Sequence, residues 1–163
     1  MKPVLLCFLF VALWSGCLSS DNAGISKRNE MPDTVTVDFL KRVCAINPDD
    51  TRHVVLLVNS SFCGSCTEKV RLFLKEIAPL PCRKCFIIAN PDSAVTHIAQ
   101  NARNSTPVSV LPDTLARYDL LNPYSKMYVF QDTHLVYNTS LVEESLPLIL
   151  NHFLESNHCS ANP

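Results

Sequence analysis

Eight cysteines are the main chemical resource of this sequence, and four of them form two closely spaced pairs. Cys63-Gly64-Ser65-Cys66 is a CxxC motif, and Cys82-Arg83-Lys84-Cys85 is a second one. Two thiols one helical turn apart can exchange disulfides, because one attacks as a thiolate and the other resolves the mixed disulfide. The same four cysteines match the spacing of a four-cysteine zinc site. The two motifs therefore indicate redox chemistry, structural disulfides or metal binding.

The composition excludes two other classes of function. The chain has 163 residues, of which 3 are Gly, and its formal net charge is -1. So few glycines cannot build a Gly-rich phosphate-binding loop, and a nearly neutral chain has no broad basic field for nucleic acid. The length suits one domain with a core of its own.

The first CxxC motif lies between a predicted strand and a predicted helix. Residues 53–58 form a short, continuous apolar run, which is typical of a strand covered on both faces. After the motif, apolar residues repeat with helical period up to Ile77, and Pro79 ends the helix. The unpaired N–H groups and the partial positive charge of a helix N-terminus would stabilise a thiolate at Cys63. This context favours Cys63 as the attacking thiol and Cys66 as the resolving thiol.

The remaining pattern predicts an α/β chain that ends in two antiparallel strands and a helix. The other predicted elements are a helix from 33 or 34 to 45, a strand at 86–89, a helix from 90 to 102, a short helix at 113–121 within a less legible stretch at 104–122, strands at 126–131 and 134–137, and a helix at 142–154.

Residues 34–155, with the strand–CxxC–helix unit and this ββα end, resemble the thioredoxin superfamily, in particular the extracytoplasmic thioredoxin-like lipoproteins of bacteria. The resemblance implies a three-layer α/β/α domain with a central mixed sheet. It also implies a thiol–disulfide oxidoreductase that acts on exported proteins through Cys63 and Cys66 without a cofactor.

The sequence departs from that family at several positions near the motif. Phe62 precedes the first cysteine where Trp is frequent, and Gly64-Ser65 stands where Gly-Pro is common. Leu57 occupies the place of the buried Asp of thioredoxin. The register of the family's cis-proline falls on Ser125, and Pro123 lies two residues earlier. The resemblance therefore implies substrate docking at Phe62, Pro123 and Ser125.

Two other functions compete with the oxidoreductase. If Cys63 and Cys66 form an inert bridge, as exported proteins often contain, the domain is a redox-silent binding module with structural disulfides. Peroxide reduction would place the attacking cysteine in a Pro- and Thr-rich context, whereas Ser60 and Ser61 precede Phe62 here.

The geometry of a βαβ unit argues against the zinc site. A helix over residues 63–77 is about 22 Å long, so it carries the second motif to the opposite end of the sheet. We therefore expect Cys82 and Cys85 to bridge each other or to pair with Cys44 or Cys159, and we expect the Arg83-Lys84 segment to be a solvated loop. The six cysteines after Cys17 allow 15 full pairings, and the sequence does not choose among them.

The first 33 residues predict export. Lys2, an apolar run and small residues before Cys17 are typical of a signal peptide at 1–16. Residues 13–17 resemble a lipobox with Trp14 at an atypical place, so either Cys17 is lipidated or ordinary cleavage occurs nearby. Polar residues then form a flexible tether at 17–33, and residues 156–163 form a tail. We expect an extracytoplasmic protein of the bacterial periplasm or cell envelope, bound to the membrane by a lipid anchor, whose partners are exported protein thiols or disulfides.

Overall fold

Five strands form one mixed sheet in the order β3-β2-β1-β4-β5. The computed structural model describes residues 31–48, 52–59, 64–90, 92–142 and 145–155, without the side chains of 64–66. The strands are β1 (Arg52–Val58), β2 (Arg83–Ile88), β3 (Ser105–Ser109), β4 (Lys126–Gln131) and β5 (His134–Ser140). Strands β1, β2 and β3 are parallel, whereas β4 and β5 form the antiparallel part of the sheet. The central strand β1 is therefore covered on both faces, as its apolar run predicts.

Helices cover both faces of this sheet. They are α1 (Thr34–Val43), α2 (Gly64–Ile77), α3 (Ser93–Asn101), α4 (Pro112–Ala116) and α5 (Leu146–Glu155). One buried cluster packs α2, α3 and α5 on the face that contains Val54 and Leu56. The other packs α1 and α4 on the face of Val55 and Leu57. The alternation of side chains along β1 thus supplies two hydrophobic cores.

Most predicted elements are confirmed, and the predicted helix at the start of the domain shows why. Helix α1 begins at Thr34 because the Asp33 carboxylate accepts a hydrogen bond of 2.7 Å from the Thr36 backbone N–H. Hydrogen bonds from Thr36 lower the pKa of Asp33. The helix ends at Val43, two residues before its predicted end at Ala45, whose positive φ of 50° is incompatible with a continued helix.

In the middle of the chain one prediction is confirmed in part and another is wrong. The stretch at 104–122 contains the expected short helix as α4, which is five residues long and ends at Ala116 instead of 121, and it also contains an edge strand, β3, that was not predicted. Strand β2 begins at Arg83, so Arg83 and Lys84 do not form a solvated loop. Lys84 is 1 % exposed, and two backbone carbonyls accept hydrogen bonds from its ammonium group, which offsets part of the cost of burying it.

Several predictions fall on residues that the structure does not describe. The predicted signal peptide at 1–16, the lipidation site Cys17 and the predicted tail at 156–163 lie outside the described residues. Of the predicted tether, the last three residues are described. Of these three, Met31 accepts at its Sδ a hydrogen bond of 3.0 Å from Asn138 Nδ2 in β5, and Asp33 caps α1.

Candidate functional site

The CxxC motif Cys63–Cys66 falls at the junction between the central strand and a helix. Strand β1 ends at Val58, and α2 begins at Gly64, the residue after Cys63. Cys66 is the third residue of this helix. The predicted site residues Phe62 and Cys63 lie outside the described residues, as does the side chain of Cys66. A buried strand therefore precedes the motif, and the N-terminus of a helix, with its unpaired N–H groups, follows Cys63, as the sequence predicts.

Asn59, the first residue after β1, connects the elements that surround this junction. Its backbone N–H donates to Ser125 Oγ at 3.1 Å, and its Nδ2 donates to the carbonyl oxygen of Asn122 at 2.6 Å. Its Oδ1 accepts a hydrogen bond of 3.2 Å from Asn90 Nδ2, just beyond β2. One buried side chain therefore binds the carboxyl ends of two parallel strands to the segment that enters β4.

Ser125, a predicted docking residue, lies directly before β4 and is buried. Its hydroxyl accepts from Asn59, and its carbonyl accepts from the Leu141 N–H at 2.7 Å. Pro123 is exposed, and its peptide bond is trans, as are the other described peptide bonds. The irregularity in β4 lies between Val129 and Phe130, far from the strand entry. Ser125 therefore occupies the position before β4, whereas Pro123 lies on the surface of the preceding turn.

Leu57, at the position where the resemblance implies a buried acid, is packed in the core. Leu57 is 1 % exposed and belongs to the cluster under α1. Lys126 is its partner in the antiparallel pairing of β1 with β4, so the two side chains share one face of the sheet. A half-buried lysine therefore lies beside Leu57 on this face of the sheet.

An ion pair fixes α2 against the start of α3. Arg71 Nη2 donates to Asp92 Oδ2 at 2.7 Å, and Arg71 Nη1 donates to Glu68 at 3.1 Å. Asp92 also caps α3 by accepting from the backbone N–H groups of Ala94 and Val95. Burial raises the pKa of Asp92, but the hydrogen bonds from Val95, Arg71 and Ala94 outweigh this effect, so the net pKa is lowered. The hydrogen bond with Asp92 raises the pKa of Arg71.

The other predicted disulfide cysteines lie mainly at the opposite edge of the sheet. Cys44, at the end of α1, forms a disulfide with Cys85 in β2, and their Cα atoms are 5.6 Å apart. Cys82 is also disulfide-bonded, and since Cys44 and Cys85 are paired with each other, its partner is not among the described cysteine side chains. The alternative of a Cys82–Cys85 bridge is therefore wrong, because Cys85 lies in the core under α1. Cys159 lies outside the described residues. With its sulfur in a disulfide, Cys85 cannot act as a zinc ligand.

A cavity of about 590 Å³ opens at this same amino edge of the parallel strands. Its lining includes His53, Arg83 and Asn104, together with the disulfide-bonded Cys44. The cavity lies at the far end of β1 from the CxxC motif, so it is separate from the candidate redox site.

The polar residues that surround the motif were not among the predicted site residues. They are Asn59, Asn90, Asn122, Arg71 and Asp92. Asn59 and Asn90 could have been identified from the sequence, because each follows an apolar strand and the carboxyl ends of parallel strands meet at one edge of a sheet. Arg71 gave no signal, since its partner lies 21 positions further along the chain.

Comparison with protein-family models, curated proteins and solved structures found no match to this chain. Within its described residues, none of the helices is long and apolar enough to cross a membrane. The fold and the residues around the junction therefore define an α/β protein with a five-stranded mixed sheet and a CxxC motif at the carboxyl end of its central strand.

Proposed function

We propose that this chain is a thioredoxin-like thiol–disulfide oxidoreductase that acts on exported proteins through Cys63 and Cys66. The observation that carries the proposal is the start of α2 directly after Cys63, next to the central strand. A helix N-terminus stabilises a thiolate, and the thiolate is the nucleophile of disulfide exchange. The strand order, with two antiparallel strands after a parallel βαβ unit, is compatible with the proposed fold.

The proposed reaction is a two-step exchange. The Cys63 thiolate attacks one sulfur of a client disulfide, a mixed disulfide forms, and the other client sulfur leaves as a thiolate that takes a proton from water. The Cys66 thiolate then attacks the Cys63 sulfur, releases the second client thiol and leaves Cys63 and Cys66 oxidised. The reverse sequence oxidises a client dithiol. The half-buried Lys126 supplies positive charge on one face at this edge, where thioredoxin has an acid.

The hydrogen bonds of Asn59 support a preorganised site. They hold the entry to β4 against the end of β1, four residues before Cys63. A client segment that approaches Cys63 would meet this entry and the exposed Pro123. The proposed docking surface is therefore the segment from Asn122 to Ser125, rigidly connected to β1 and β2.

A mixed-disulfide trap tests the proposal directly. In a Cys66→Ala variant the resolving thiol is absent, so we expect Cys63 to retain client proteins as mixed disulfides that a reductant releases. The matched control is the Cys63→Ala/Cys66→Ala variant, which keeps every other cysteine. Equal capture by the two variants would contradict the assignment of Cys63.

The second candidate is a redox-silent binding module, and two observations favour it. Leu57 removes the buried acid that accepts a proton in thioredoxin, and Ser125 with a trans Pro123 departs from the cis-proline. The reduction potential of the Cys63–Cys66 pair separates the candidates. Structural disulfides typically lie below about −300 mV, whereas catalytic ones lie higher.

We also propose that lipidation of Cys17 keeps the domain near a membrane outside the cytoplasm. As a flexible coil, the predicted tether of about 16 residues would have an end-to-end distance of roughly 20–24 Å, which would restrict clients to those at the envelope. Stable anchoring needs more than one hydrophobic signal, and a lipidated N-terminal cysteine carries several acyl chains. The intact mass of the mature protein tests this, since an unmodified N-terminus in the soluble fraction would refute it.

A further inference from the structure

Lys84 is a buried cation at the amino end of β2. It is 1 % exposed, and its Nζ donates to the carbonyl oxygens of Leu80 at 2.5 Å and Cys82 at 2.9 Å. Within the described residues no carboxylate forms an ion pair or a hydrogen bond with this ammonium group. A buried charge that has carbonyl dipoles but no counter-ion is costly, so its retention calls for a physical reason.

The third contact of the ammonium group is a disulfide sulfur. Cys82 Sγ lies 3.9 Å from Lys84 Nζ, and Cys82 is buried and disulfide-bonded. Burial lowers the pKa of Lys84 to about 8, and the positive charge of Arg103 adds to the lowering. Near pH 7 the ammonium form still predominates. The Lys84 ammonium group therefore lies beside the Cys82 sulfur, which carries no charge as long as Cys82 is in a disulfide.

We propose that the disulfide of Cys82 is a second redox-active disulfide, in which Lys84 stabilises Cys82 as the thiolate leaving group when a dithiol reduces the bond. Reduction would give Lys84 a counter-ion that the described residues do not supply in the oxidised protein. Because an adjacent cation favours the thiolate, and a thiolate of lower pKa leaves faster, the contact makes this bond easier to reduce.

The balanced reaction uses a dithiol as reductant. One thiolate of the dithiol attacks the sulfur bonded to Cys82, the disulfide bond breaks, and Cys82 leaves as a thiolate beside Lys84. The second thiol of the reductant then attacks the mixed disulfide as a thiolate and releases the partner cysteine as a thiol. The dithiol becomes a disulfide, and the protein gains two electrons.

This proposed site is separate from the proposed site at Cys63 and Cys66 and does not depend on it. Cys82 precedes the amino end of β2, whereas Cys63 follows the carboxyl end of the parallel strand β1. Seven residues of β1 span about 20 Å between the two edges. Either disulfide could therefore be redox-active without the other.

A redox titration of the oxidised full chain tests the proposal. The chain is equilibrated with mixtures of reduced and oxidised dithiothreitol, denatured in iodoacetamide and digested with trypsin. Cleavage after Arg83 and Lys84 places Cys82 and Cys85 on different peptides. We expect Cys82 to be alkylated at a lower ratio of reduced to oxidised dithiothreitol than Cys44 and Cys85. Alkylation of all three at the same ratio would overturn the proposal.

Variants at positions 83 and 84 separate a redox role from a purely structural one. Lys84→Met should make the Cys82 disulfide about tenfold harder to reduce, a shift of about 30 mV to more negative potential, whereas the Cys44–Cys85 disulfide keeps its midpoint. Lys84→Arg should retain most of the effect of the charge. Arg83→Met removes the neighbouring, exposed cation as a matched control. Equal midpoints for Cys82 in the Lys84→Met and Arg83→Met variants would contradict the proposal.

A measurement on the unaltered chain covers the case in which Lys84→Met does not fold. Because the coupling between the two charges is reciprocal, reduction of the Cys82 disulfide should raise the pKa of Lys84, which a ¹⁵N NMR titration of lysine Nζ measures. A purely structural lysine, held by the carbonyls of Leu80 and Cys82, would show the same pKa in both redox states, and that result would refute the proposal.

Discussion

The Cys44–Cys85 disulfide should make a large contribution to the free energy of unfolding. The two cysteines are 41 positions apart, and both side chains are buried in the core under α1. In the chain-entropy treatment, closing a loop of this length stabilises the native state by about 4 kcal/mol at 25 °C. The Cys44→Ala/Cys85→Ala variant should therefore lose about 4 kcal/mol plus about 1 kcal/mol for the missing buried sulfur atoms.

Urea unfolding of the oxidised proteins measures this loss and separates its two parts. Removal of the cross-link lets the unfolded chain expand and expose more surface, so the dependence of the free energy on urea should steepen. Loss of two sulfur atoms alone would not change that slope. The melting temperature should fall by roughly 15 °C for a domain of this size. A loss below about 1 kcal/mol with an unchanged slope would refute the loop-closure reasoning.

Three further predictions concern the candidate site and the sheet edge. Asn59→Ala should lower the free energy of unfolding in urea by about 2 kcal/mol, because the Asn122 carbonyl and the Asn90 amide lose a buried partner. A free energy of unfolding equal to that of the wild type within error would show that these hydrogen bonds do not hold the site. Asp92→Asn should cost about 1–2 kcal/mol at pH 7 through the lost pairing with Arg71. The pKa of Asp92 is lower in the folded protein than in the unfolded chain, where it is about 3.9. The ion pair therefore adds its full contribution to the free energy of unfolding above the unfolded-state pKa and loses it as the pH falls through the folded-state pKa. The free energies of unfolding of the wild type and the variant should therefore converge in acid. Pro107→Val should promote self-association measured by light scattering, because the edge strand gains an N–H donor. A scattering mass equal to that of the unaltered protein would contradict the protective role of Pro107.

Elements that bury a periodic apolar pattern could be predicted from the sequence. The apolar run of β1 and the helical repeat of α2 depend on local spacing, and both were predicted within one residue of the observed Val58 and Ile77 ends. Strand β3 could not be predicted in this way. Its sequence, Ser105–Ser109, has little apolar alternation and includes Pro107, and the strand exists because its backbone pairs with β2. Pairing between distant segments leaves no periodic signal in an exposed edge strand.

The surroundings of the site were less predictable than the motif. The CxxC spacing is local, but the bonds that surround it join Asn59 to residues 31 to 66 positions away. Lys84 was wrongly expected in solvent, because a lysine is rarely buried and its carbonyl partners depend on how the α2–β2 loop turns. The pairing of Cys44 with Cys85 was one of many that the sequence allowed, and the approach of α1 to β2 selects it.

The central position of β1 also governs the order in which the chain can fold. Arg52 pairs with Gln131, which lies 79 positions later, so one edge of β1 has no partner until the synthesis of β4 is complete. The partial sheet β3-β2-β1 can form earlier; Cys85 lies in its strand β2, and Cys44 lies at the end of α1, which precedes β1 in the chain. At 5–20 residues per second, the interval between Ser109 and Gln131 lasts about 1–4 s. During these seconds an apolar strand edge is open to wrong partners. Where the chain emerges into an oxidising compartment, a disulfide between α1 and β2 would hold the unfinished half in its native arrangement until β4 arrives.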